Sequence, residues 1–138
     1  MGKIIRFGIS IDEGLAGLFD GHIRKEGYSN RSEAVRDLIR EHLVADRWRL
    51  DDTIGVASLS MVFDHHQRDL SETLNQIQHD HHELIISNLH VHIDHDNCLE
   101  VIILKGRNRR IKELADKLLA TRGVKHGELT MTTTGQDL

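Results

Sequence analysis

The sequence predicts an α+β protein in two parts, a strand–helix–helix segment followed by a βαββαβ domain. Three observations predict this. Residues 4–11 alternate apolar and polar, which is the pattern of a strand with one buried side. Two stripes of helical spacing follow, with no second strand for about forty residues. From Ile54 onward the periodicity switches between about 2 and about 3.6 residues in the order strand, helix, strand, strand, helix, strand.

In the first segment, Ile5, Phe7, Ile9 and Ile11 fall on one face, and Arg6, Gly8 and Ser10 on the other. A lone strand leaves its ladder of backbone groups unpaired. The cheapest partner is the same strand of a second copy, across a two-fold axis. Asp12 is placed to cap the first helix, with Glu13 in its first turn, and Leu15, Leu18, Phe19 and Ile23 form its apolar stripe. Gly27 stands where a left-handed residue ends that helix. Asn30 caps the second helix, with Glu33 as its capping-box partner. Val35, Leu38, Ile39 and Leu43 form its buried face. Strand, helix and helix are too few to close a core alone, and dimerisation supplies both the core and the strand partner. Asn30-Arg31-Ser32 combines free amides, a helix dipole, a guanidinium and a hydroxyl, a natural phosphate clamp. Its bland alternative is an ordinary cap beside an exposed arginine. A two-stranded ribbon fits the major groove and would present Arg6, Gly8 and Ser10 from each chain.

Residues 45–53 are charged and lack alternation, so they read as a helix tail and linker, with Trp48 packed against one domain or a neighbouring chain. The expected domains are 1–47 and 54–138, joined by 48–53. In the second domain the expected order is strand 55–63, helix 68–82, strand 84–93, strand 99–105, helix 109–122 and strand 124–133, which is the ferredoxin-like order. Gly123 closes the last helix. Arg107, Arg109 and Arg110 crowd that helix's start, where the dipole disfavours cations.

Residues 78–100 hold six of the eleven histidines and the one cysteine. Imidazole nitrogen and thiolate sulfur are ligands for borderline transition metals. Leu89-His90-Val91-His92-Ile93 alternates, so His90 and His92 share a face; Asp94 to Asn97 is a turn, and Leu99 to Leu104 the returning strand. If the hairpin sets His92 beside Cys98, Glu100 faces His90, whereas a slip of one residue turns Cys98 away. The preceding helix, ending in Gln78-His79-Asp80-His81-His82, offers a fourth imidazole from the same chain or a neighbour. Three His and one Cys suit tetrahedral Zn or planar Ni(II) or Cu(II). The plain reading of His81 and His82 is a solvated helix end, favoured by the dipole. His65, His66 and His95 read as solvated or supporting residues, and His22, His42 and His126 stand isolated.

One cysteine forms no internal disulfide and fits a reducing cytoplasm. No apolar run spans a membrane, and no signal peptide opens the sequence. The net charge is −4 and uneven: residues 1–50 hold nine Lys/Arg against eight Asp/Glu, residues 51–138 nine against fourteen. The acidic surplus lies with the histidine cluster, so an N-terminal half that met phosphate would not carry it.

Taken together, the motifs Gly27-Tyr-Ser-Asn-Arg-Ser-Glu-Ala-Val-Arg36, Arg68-Asp69-Leu70, Gln78-His79, Leu89-His-Val-His92, Cys98-Leu-Glu100, Leu104-Lys-Gly106 and Arg122-Gly-Val-Lys-His-Gly127 resemble those of the nickel-responsive transcriptional regulators. Those proteins join a dimeric ribbon-helix-helix domain to a ferredoxin-like, ACT-type metal-binding domain. The resemblance covers nearly the whole chain. It implies a planar Ni(II) site, one ion per subunit, made by His90, His92 and Cys98 of one subunit and His79 of another, with Glu100 as a supporting hydrogen-bonding residue. It implies a homotetramer, a dimer of dimers centred on the metal domains. It implies double-stranded operator DNA as partner, with Arg6 and Ser10 reading bases and Asn30, Arg31, Ser32 and Arg68 contacting phosphates. Glu33 and Asp37 match positions of a second cation site, which without the resemblance would read as solvated surface. Two positions depart from the pattern: Gly8 has no side chain to touch a base, and Gln67 stands where a cation would help hold DNA.

The function so implied is a cytoplasmic, nickel-dependent repressor of nickel-uptake or nickel-enzyme genes, not an enzyme. One rival is a metal carrier or store that never meets DNA. Another is a metalloenzyme with Glu100 as general base at an open Zn site, which a fourth protein ligand would close.

Overall fold

The computed structural model describes residues 2–49, 53–136 and 138. Residues 50–52 of the expected linker lie outside the described residues. The elements are α1 (Glu13–Lys25), α2 (Arg31–Arg49), β1 (Ile54–Asp64), α3 (Arg68–Asp80), a 3-10 turn (His82–Leu84), β2 (Ile85–His92), β3 (Asn97–Arg107), α4 (Asn108–Leu119) and β4 (Val124–Thr132). The chain divides into two compact units, Met1–His42 and Leu43–Leu138.

In the N-terminal unit the expected signals act where the sequence puts them. The Asp12 side chain accepts a hydrogen bond from the Leu15 amide at 3.0 Å and caps α1. Gly27 takes φ +82° just past the helix end. The Glu33 amide donates to Asn30 Oδ1 at 2.9 Å. The Glu33 carboxylate takes the Ser29 hydroxyl at 2.9 Å rather than closing a capping box on Asn30. Residues 4–11, expected as a strand, form none in the single chain. Ile5, Phe7 and Ile9 are 80%, 73% and 68% exposed. The physical reason is pairing: a strand exists only by its ladder, and a single chain supplies no partner for this one.

In the C-terminal unit the strands form one antiparallel sheet in the order β2-β3-β1-β4, the ferredoxin-like order. β1 alternates buried and half-buried positions along its length. Its inward residues Ala57, Leu59, Met61 and Phe63 meet Ile102 and Leu104 of β3, Leu70 and Leu74 of α3, and Ile111, Leu114 and Leu118 of α4 in one core. Trp48, at the end of α2, joins that core and donates its indole N–H to the Thr132 carbonyl at 2.8 Å. Asn108, fully buried, binds the Arg47 carbonyl at 3.0 Å and the Thr53 hydroxyl at 2.7 Å, tying the end of α2 to the start of α4. Two of the three arginines there meet carboxylates: Arg110 pairs with Glu83, and Arg109 lies 3.9 Å from Glu113 one turn on. Gly123, at φ +104°, makes the turn into β4, and a Cβ there would stand 2.9 Å from Leu70 Cδ2.

Candidate metal centre and candidate nucleic-acid interface

The β2–β3 hairpin decides the geometry of the histidine cluster. Its register pairs His92 with Cys98 and His90 with Glu100, the alternative that keeps Cys98 on the histidine face. Asp94 fixes that register: its Oδ1 accepts the amides of Asp96 and Asn97 at 2.9 and 2.8 Å, closing the turn. Asn88, His90 and His92 therefore share a face with Glu100 and Cys98.

On this face Glu100 is completely buried. Its carboxylate accepts from Gln78 Nε2 at 3.3 and 3.2 Å and from Asn88, and lies 2.8 Å from His90 Nε2. A ring proton on that Nε2 is held by the carboxylate, which leaves the Nδ1 lone pair of His90 free to bind an ion. Cys98 is buried too, and burial, then the charges of Glu100 and Asp64, push its thiol above the usual range. The His92 ring stacks on His65 at 4.6 Å. His65 Nε2 is buried there with no hydrogen-bond partner among the described residues.

The chemistry of the donor set suits nickel: two imidazoles and a sulfur on one face, with a buried carboxylate behind one ring. In the single chain the three ligand candidates are neighbours in register rather than a closed set. Among the described residues, the group of three His, Cys or carboxylate side chains whose donor atoms all come within 4.8 Å is a different one, His66, His95 and Asp96. His79 sits exposed on α3, its ring 6.3 Å from that of His82. His81 and His82 lie past the end of α3, and their Nδ1 atoms reach the carbonyls of Ile77 and His79 at 2.9 and 3.1 Å. His82 is exposed, in line with a solvated helix end, whereas His81 is half-buried.

The sequence reading gave Gln78 and Asn88 no role. Both were findable. Gln78 continues the buried stripe Leu70, Leu74 of α3 by one more turn, and Asn88 extends the alternation of His90 and His92 by one step.

Arg6, Gly8 and Ser10 are exposed, as is Ser32. Arg31 makes a two-pronged pair with Asp20, 2.8 Å from Nε and 2.7 Å from the terminal nitrogen. This hydrogen bond holds the Asp20 carboxyl below its ordinary range and Arg31 above its own. Arg68 bonds Glu72 at 3.0 Å across one helical turn. Arg31, Arg68 and Glu72 are exposed and Asp20 is half-buried, so both pairs lie at the surface. Glu33 and Asp37 are each engaged within the unit, Glu33 with Ser29 and Asp37 with the Tyr28 hydroxyl at 2.7 Å.

Two N-terminal helices followed by a four-stranded sheet with buried Glu100 behind a His/Cys face define the class: a two-part α+β protein whose sheet carries a candidate metal centre. Residues 56–132 match the family model of the NikR C-terminal nickel-binding domain, and residues 5–46 that of the ribbon-helix-helix protein, copG family. Proteins named nickel-responsive regulators in Desulfovibrio desulfuricans and Geobacter sulfurreducens are 56% and 54% identical to it, over all of this chain and 99% of theirs. The chain belongs to this family of nickel-responsive transcriptional regulators, which are not enzymes. A solved structure of an uncharacterized protein from Thermotoga maritima shares the fold over 59% of this chain and 99% of its own, with TM-score 0.50 and 17% identity. Among the described residues, no helix is long and apolar enough to cross a membrane.

Proposed function

We propose that the chain is a cytoplasmic, nickel-dependent repressor in which Ni(II), one per subunit, is held by His90, His92 and Cys98 of one chain and His79 of another. The observation that carries this reading is the hairpin register, with His92 beside Cys98 and His90 on Glu100. In this reading Glu100 orients His90, and Gln78 and Asn88 orient Glu100 in turn. Gln78 immediately precedes His79, so the fourth ligand and the buried network share one helix end.

A homotetramer follows the same reading. Leu89 and Val91 stand 58% and 44% exposed on the sheet face away from the helices, paired with Val101 and Leu99, an apolar patch that suits a second dimer. The N-terminal domain (1–47) pairs its strands between two copies, and the linker (48–53) leads to the metal domain (54–138). Arg6 and Ser10 read bases of operator DNA, while Asn30, Arg31, Ser32 and Arg68 bind phosphates, Arg31 exchanging Asp20 for the backbone. Glu33 and Asp37 take a second cation once Ser29 and Tyr28 release them. The regulated genes are those of nickel uptake or nickel enzymes.

Nickel alters DNA affinity only so far as it binds the two arrangements of the tetramer unequally, and DNA must tighten nickel by the same factor. Cys98 must lose its proton to bind, and its thiol is raised. Nickel affinity therefore falls as pH drops, by up to about tenfold per pH unit for one displaced proton. The test is the absorption spectrum of the Ni(II) form. Intense sulfur-to-nickel bands that vanish in Cys98→Ala are expected; identical spectra of the two proteins would contradict the ligand set.

A further inference from the structure

A second group of metal donors lies outside the hairpin face. His66 follows β1, and His95 and Asp96 belong to the β2–β3 turn. The register that pairs Asp64 with Asn97 brings these two turns together. We propose that His66, His95 and Asp96 form a second, surface site for a divalent cation of the zinc, nickel or copper kind, bound by two imidazole nitrogens and one carboxylate oxygen.

The distances fit such an ion. The donor atoms of the three side chains all lie within 4.8 Å of one another. His95 Nδ1 is 3.0 Å and His66 Nε2 is 3.9 Å from Asp96 Oδ1. A tetrahedral ion with bonds of about 2.1 Å sets its ligands about 3.4 Å apart, between those two values. The frame is already fixed by the backbone. The His65 amide donates to the Asp96 carbonyl at 3.0 Å, the His66 amide to Asp64 Oδ1 at 2.9 Å, and the Asp96 amide to Asp94 Oδ1 at 2.9 Å. His66 Nε2 also lies 2.8 Å from the His95 carbonyl. A ring proton there is what an incoming cation replaces: moving that proton to Nδ1 leaves Nε2 and the carbonyl oxygen facing one positive charge. Side-chain exposures of 52%, 89% and 65% for His66, His95 and Asp96 leave room for water to complete the coordination. The set contains no sulfur and only three protein donors, so it binds more weakly than a site with a thiolate, and its bound nickel gives no sulfur band. The sequence alone reads these histidines as solvated, because nothing in the spacing of 66 and 95 puts them together.

The test is equilibrium dialysis of the full chain against Zn(II), wild type beside the double variant His66→Gln/His95→Ala. The wild type should bind one more zinc per chain than the variant at the same free zinc. The sulfur-to-nickel absorption of a parallel Ni(II) titration, which reports on Cys98, should be the same in both. Equal zinc stoichiometry in the two proteins overturns the site. Loss of the sulfur bands together with the extra zinc also overturns it, since these residues would then belong to the Cys98 centre. Asp96→Asn, in an exposed turn, repeats the comparison independently of the two rings and should weaken the additional zinc while retaining the fold.

Discussion

Glu100 is the residue on which the candidate nickel site depends. A carboxylate with no exposed surface stays in a core only if its oxygens are hydrogen-bonded, and Gln78, Asn88 and His90 supply the partners. Glu100→Gln keeps the shape and removes the charge that holds the His90 proton. Nickel affinity should fall about 10–100-fold, as for other supporting partners of metal-bound histidines. Calorimetric titration checks this, and unchanged affinity would remove Glu100 from the account. At the other end of the chain, the Tyr28 hydroxyl, more than Arg40, holds the Asp37 carboxyl below its ordinary range. A lowered folded value contributes stability that is present above the unfolded carboxyl pKa and is lost as pH falls through the folded one. Tyr28→Phe should therefore lower Tm at neutral pH, and the gap to wild type should close in acid below the lowered Asp37 value. Thermal denaturation across that range measures it.

At the scale of elements, two glycines separate conformational from steric need. Gly27 has φ +82° and open space around a would-be Cβ, so Gly27→Ala should cost only the left-handed penalty, about 1–2 kcal/mol. Gly127 on β4 has ordinary φ, but a Cβ would meet Leu119 Cδ2 at 2.1 Å and the Ser60 carbonyl at 2.9 Å. Gly127→Ala should cost about 1–3 kcal/mol through overpacking, with α4 displaced. Urea denaturation at fixed protein concentration compares the two. The elements are also where the sequence was most legible. The hairpin itself could be read because alternation, an Asp-rich turn and a returning apolar run agree, whereas its register, open to a slip of one residue, is fixed only in the fold. The caps at Asp12 and Asn30 could be read because they act within three residues. The Arg31–Asp20 pair and the His66–His95–Asp96 group were not legible, because each joins residues that only the folded chain brings together. The first strand was legible as an alternating pattern only, and one chain gives it no ladder.

For the whole molecule, the account requires assembly. Leu89→Glu places a charge in the apolar sheet face and should convert tetramers to smaller species by light scattering, with the spectrum of the folded domain retained. If the centre draws His79 from one chain and Cys98 from another, His79→Ala and Cys98→Ala chains should each bind nickel poorly alone. Co-assembled, they should regain a fraction of full sites, because some interfaces then pair two intact halves. The most direct single measurement is the affinity of the full-length protein for a duplex selected from random sequence, taken with and without Ni(II) at fixed salt. The account predicts that nickel tightens binding by the wild type, and that Cys98→Ala binds the duplex equally with and without the metal. Equal affinity of the wild type in both conditions would contradict it.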